Sequence, residues 1–120
     1  MNSPVSRQLG CAQLYVTLHH DGLRGLLRRP AAVRCVEFNL DFMRVESERK
    51  FAPGDRVVID LHLDGLCMEE LDGVIFEVIR QGDCFHYRVE FLYRNRHNTH
   101  SAEIVHCLRL IEDHIKHAPA

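Results

Sequence analysis

Residues 33–63, VRCVEFNLDFMRVESERKFAPGDRVVIDLHL, decide the fold. Residues 33–38 and 42–47 are two short β-type runs around a polar corner, Asn39-Leu40-Asp41. Asn and Asp suit such a corner because their side chains bond the nearby backbone. A turn at Pro53-Gly54-Asp55 then leads into residues 56–63, where Val57, Ile59, Leu61 and Leu63 share one face and Asp60 and His62 the other. Alternation with a period of two is the mark of a half-buried strand.

The same pattern continues outward. In residues 12–19, Leu14, Val16 and Leu18 alternate with Tyr15 and Thr17, and His20-Asp21-Gly22 marks a turn. An arginine-rich segment follows, DGLRGLLRRP at residues 21–30. Residues 23–29 are either one helical turn or an extended basic loop, and Pro30 stops any helix there because the residue before proline is pushed out of helical angles. Downstream, Asp64-Gly65 suits a turn and residues 73–80 a further strand. Gln81-Gly82-Asp83 is the clearest hairpin signal. Beyond it Phe85, Tyr87, Val89 and Phe91 oppose His86, Arg88 and Glu90, a strand over residues 84–93.

The tail changes period. Ile104, Leu108, Ile111 and Ile115 recur at helical spacing, with Glu103, Arg109, Glu112 and Lys116 on the water side and Asn98 or Thr99 as the N-cap. Val105, Cys107 and Leu110 widen the apolar stripe beyond one face. Composition leaves open whether that excess is buried within the chain, in a homodimer or against a partner protein. Five or six antiparallel strands followed by one amphipathic helix form a mainly β domain, a small barrel or closed sheet.

A chain of 120 residues is one domain: a loose lead-in at 1–10, then a single unit at 11–120, with strands over about 12–93 and a helix over about 99–117. The net charge of −2 argues against a general nucleic-acid binder. The charges are segregated, however. Every charged residue between Gly22 and Val36 is an arginine (Arg24, Arg28, Arg29, Arg34), whereas residues 55–77 are mostly acidic. A local basic patch on a near-neutral protein fits a compact anion better than a long polyanion. The five cysteines are widely spaced with no C-x-x-C, so reduced thiols are expected rather than a disulfide framework. No stretch reaches membrane-spanning length and the N-terminus lacks a signal-peptide core, so a soluble cytoplasmic protein is expected.

The nine histidines complete no zinc spacing: His97 with His100, His114 with His117, and His106 beside Cys107 stay as pairs. Ser101, His106 and Asp113 lack the context of a catalytic triad, and no nucleophile elbow or phosphate-cradling glycine loop occurs. No metal and no enzymatic activity are expected.

FMRVES (42–47), KFAPGDRVVIDL (50–61), GVIFEVI (73–79) and YRVEF (87–91), with the turns between them, resemble the PilZ domain family over residues 24–115. The resemblance implies a six-stranded antiparallel barrel with a C-terminal amphipathic helix. It also implies a non-enzymatic role in bacterial cyclic di-GMP signalling. The family binds that nucleotide through R-x-x-x-R and D/N-x-S-x-x-G motifs. Arg24 and Arg28 fit the first, with Arg29 adjacent. These guanidinium groups would hold the phosphates and stack on guanine, as Arg does elsewhere, and Asn39 would contact the base side. Nucleotide binding would order the basic loop and alter the surface offered to a protein partner.

Two departures qualify this. In the family the arginines precede the first barrel strand, whereas here the strand-like residues 12–19 come before them. The second motif is also broken. Started at Asn39 it reads Asn39-x-Asp41-x-x-Arg44; started at Glu37, the better register, it reads Glu37-x-Asn39-x-x-Phe42. Both lose the glycine, and Glu37 would repel phosphates. Relatives that have lost these motifs act as protein-binding adaptors, the alternative reading for this chain.

Overall fold

In a computed structural model of the chain, which describes residues 9–22, 29–93 and 101–117, the strands close into a barrel. A 3-10 turn at Leu9–Gln13 leads into β1 (Tyr15–His20), β2 (Ala31–Phe38), β3 (Phe42–Ser47), β4 (Arg56–Leu63), β5 (Leu66–Gln81) and β6 (Cys84–Phe91). The helix α1 (Ser101–Lys116) follows. The strand order around the wall is β1-β2-β3-β6-β5-β4, every neighbouring pair is antiparallel, and β1 closes the ring by pairing with β4. Closure removes free sheet edges, the usual liability of an antiparallel sheet.

Strand alternation fills the lumen. Leu14, Val16, Leu18, Met43, Val45, Val57, Ile59, Leu61, Leu63, Tyr87 and Val89 are all buried. On α1 only Leu108, Ile111 and Ile115 are buried, and Ile104 is half-buried, so Val105 and Cys107 stay partly and Leu110 largely exposed. The helix packs on the 3-10 turn and on β5. At Gly10 an added Cβ would run into the Ile115 backbone, so the turn and the end of α1 touch directly.

Residues 12–19 are part of the barrel: the run there becomes the end of the 3-10 turn and then β1, which pairs with both β2 and β4. The structure extends the fifth strand backwards from the expected start at 73 to Leu66. The sequence CMEELD does not alternate, yet pairing with β4 holds it extended. An irregularity between Ile59 and Leu61 accommodates the mismatch, with Glu70 at φ 59° and its amide donating to Asp60 Oδ1 at 2.9 Å. The hairpin at Gly82-Asp83 joins β5 to β6 as expected, with Gly82 at φ 60°, a region glycine enters freely. The expected N-cap, Asn98 or Thr99, lies outside the described residues.

Candidate functional site

Of the expected ligand residues, the structure places Arg29 and Asn39, and it places them apart. Arg29 is exposed just before β2 begins, and Asn39 follows the residue at which β2 ends. At about 3.3 Å per residue, the seven steps from Ala31 to Phe38 span roughly 23 Å, so the strand holds Arg29 and Asn39 at opposite ends of the barrel. Arg24 and Arg28 lie outside the described residues, in the chain between β1 and β2. Because β1 is a wall strand, the arginine segment follows the first strand rather than preceding it.

At the Asn39 end the polar groups are already engaged. Asn39 Oδ1 accepts from the amides of Asp41 (2.8 Å) and Phe42 (3.0 Å), which closes the β2–β3 corner. Along the outer wall, cross-strand register lines up Glu37 on β2, Arg44 on β3, Arg88 on β6 and Glu77 on β5. Arg44 Nε is 3.0 Å from Glu37 and its Nη1 is 3.6 Å from Glu77. The ladder shifts register just before each acid, between Cys35 and Glu37 and between Ile75 and Glu77. Such bulges re-aim side chains, and here they deliver two carboxylates onto the arginine row. The Arg88 guanidinium sits 4.2 Å from the Phe42 ring centroid and 5.1 Å from that of Phe76. Phe76 is 53% exposed and Ile79 44%, which gives this wall an apolar edge beside its charges.

At the Arg29 end a cleft of about 700 Å³ opens between the 3-10 turn, β2 and the end of β3. Arg29, Arg34, Arg49, Glu46, Glu48 and Cys11 contribute to its lining. Arg49 is well placed: its Nη1 donates to the Arg29 carbonyl, its amide donates to Ser47 Oγ at 3.0 Å, and its own carbonyl accepts from the Tyr87 hydroxyl at 2.8 Å. Arg34 lies 3.9 Å from Glu46, which His86 approaches to 3.3 Å. Guanidinium groups around an open cleft can take a phosphate, although two carboxylates share its lining.

No family model matches the chain, and no curated protein matches it. Among solved structures, the PilZ domain with c-di-GMP of YcgR from Escherichia coli superposes with a TM-score of 0.59. The match covers 91% of this chain and 88% of that one at 13% identity. The fold is PilZ-like.

At the Asn39 end, Glu37 pairs with Arg44, and Phe42 donates its amide to Asn39 Oδ1 and lies under the Arg88 guanidinium. The contribution of Arg49 to the cleft was missed in the sequence. A signal for it existed: the corner at 39–41 pairs Arg34 with Glu46, so the end of β3 must lie beside the start of β2. Among the described residues no three His, Cys, Asp or Glu side chains gather as a metal site; His97 and His100 lie outside them. Ser101, His106 and Asp113 all lie on α1. No helix among the described residues is long and apolar enough to cross a membrane.

Proposed function

We propose that this chain is a non-enzymatic PilZ-type signalling module that acts as an adaptor, through protein contacts rather than through cyclic di-GMP. One observation carries the reading: β2 separates Arg29 from Asn39 by its whole length, which speaks against one nucleotide bridging those two residues. The end that retains Asn39 offers a phosphate the Glu37 carboxylate, already paired with Arg44. The same outer wall presents exposed Phe76 under Arg88, and exposed Ile79 opposite His86, and aromatic residues and arginine are enriched where proteins meet.

The second reading keeps the nucleotide and moves it. The cleft bordered by Arg29, Arg34 and Arg49 supports it. Arg24 and Arg28, which neighbour Arg29 in sequence, would add phosphate contacts, and ordering of that segment on binding would alter the surface a partner meets. The structurally similar PilZ domain of YcgR was solved with c-di-GMP.

Calorimetric titration of the full chain with cyclic di-GMP separates the two. The adaptor reading expects no binding heat at ordinary salt. Micromolar or tighter binding that Arg28→Ala and Arg49→Ala each abolish would overturn it and establish the arginine cleft.

A further inference from the structure

We propose that Cys11 and Cys35 form a reversible disulfide that locks the N-terminal 3-10 turn onto the barrel wall. Cys11 lies in the turn Leu9–Gln13 and Cys35 in β2; they are 1% and 4% exposed, and their thiols hydrogen-bond each other. Cys35 Sγ also lies 3.4 Å from the Glu37 carbonyl oxygen, at the register shift that follows Cys35. The pair is therefore held from both sides. The turn is wedged between β2 and the end of α1, where Gly10 meets the Ile115 backbone. A disulfide would replace that thiol contact with an S–S bond of about 2.05 Å.

The two thiols differ in access, since Cys11 but not Cys35 borders the arginine cleft, and access divides the chemistry between them. The hydrogen bond from Cys35 lowers the pKa of Cys11, outweighing burial and the Glu37 charge. The same bond, followed by burial, raises that of Cys35. The open cleft is the route by which a small oxidant reaches Cys11. With hydrogen peroxide, the Cys11 thiolate attacks one oxygen and the O–O bond breaks. Cys11 becomes a sulfenic acid, and the departing hydroxide takes up the proton that Cys11 released, forming water. The Cys35 sulfur then attacks the Cys11 sulfur, its proton leaves with the sulfenic hydroxyl as a second water, and the S–S bond forms. Two thiols are oxidised and one peroxide is reduced. A dithiol reverses the step. The effect is to fasten one wall of the arginine cleft and the seat of α1 covalently to β2, whichever functional reading holds.

The test is peroxide treatment of the full chain, followed by thiol counting after denaturation and peptide mapping without reductant. The expected result is a fall from the five thiols present to three, a Cys11–Cys35 linked peptide, and a melting temperature raised by roughly 10 °C that dithiothreitol reverses. In Cys35→Ser a dimedone adduct should accumulate on Cys11. Cys84→Ser, which alters another thiol lining the same cleft, should oxidise as the parent does. A Cys11–Cys84 link, oxidation confined to exposed Cys67, or a full thiol count after treatment would overturn the proposal. Mapping on the unsubstituted chain keeps the test independent of whether any variant folds.

Discussion

Arg44 on β3 and Arg88 on β6 sit directly opposite each other on the outer barrel wall, with Glu37 and Glu77 at the ends of the same row. Like charges in register repel, so the carboxylates are what make the row tolerable. All of these side chains are at least a third exposed or close to it, and the row is correspondingly weak in water. The double substitution Glu37→Gln with Glu77→Gln should cost about 1 kcal/mol in urea unfolding at low salt. The loss should shrink in ~1 M salt, where the Debye length falls to about 3 Å. It should not create cyclic di-GMP binding, because Arg29 remains at the far end of β2.

Tyr87 is a buried hinge pin for the segment after β3. Its hydroxyl accepts from the Phe51 amide at 2.7 Å and donates to the Arg49 carbonyl at 2.8 Å. Tyr87→Phe keeps the ring contact with Phe51 but orphans both backbone groups, and should cost about 1–3 kcal/mol by chemical denaturation.

The same hydroxyl sets an alkaline limit. Burial raises the Tyr87 pKa from its ordinary 10.0, so the folded chain binds the phenolic proton more tightly than the unfolded chain. That stabilisation is fully present below about pH 10 and is lost as pH rises from there through the folded value. Unfolding free energy should therefore fall above about pH 10, and Tyr87→Phe should lessen the fall relative to the parent.

Asp55 closes the Pro53-Gly54-Asp55 turn and also reaches across to β1. Its Oδ2 accepts from the Ala52 amide at 2.9 Å and lies 3.0 Å from Nε2 of His20, which is 7% exposed and packs on Phe51. Asp55→Ala removes both partners at once and should cost about 2 kcal/mol, read as a shift in the urea midpoint. Asp55→Asn, which keeps an acceptor oxygen, should cost less.

Gly73 faces the lumen where β5 crosses β4 and β6. A Cβ there would come within 2.6 Å of Ile59 Cδ1, 3.1 Å of the Glu90 carbonyl and 3.2 Å of Val89 Cγ1. Ile59 can swing aside but the carbonyl cannot, so Gly73→Ala should lower stability by about 1–3 kcal/mol, measurable as a lower melting temperature.

Local periodicity was enough for the strands that are buried on one face. Residues 42–47 and 56–63 alternate cleanly, and the structure gives β3 and β4 the same bounds. The helix stripe was also legible, since Leu108, Ile111 and Ile115 are its buried residues. The first half of β5 was not, because its polar residues are held extended by β4 rather than by any pattern of their own. The pairing of Cys11 with Cys35 was equally invisible, because it depends on where the 3-10 turn is wedged against β2.

From its own residues the chain dictates a closed β scaffold with a trailing helix, since alternation, turn chemistry and helical period act over a few neighbours and need no knowledge of the rest. Which side chains share a site is a different kind of fact. Arg29 and Asn39 lie ten positions apart in sequence, but an extended strand converts that separation into the full height of the barrel, whereas antiparallel pairing brings Arg49 back beside Arg29. Only the three-dimensional path of the backbone, set by hydrogen-bonded register, decides between those outcomes.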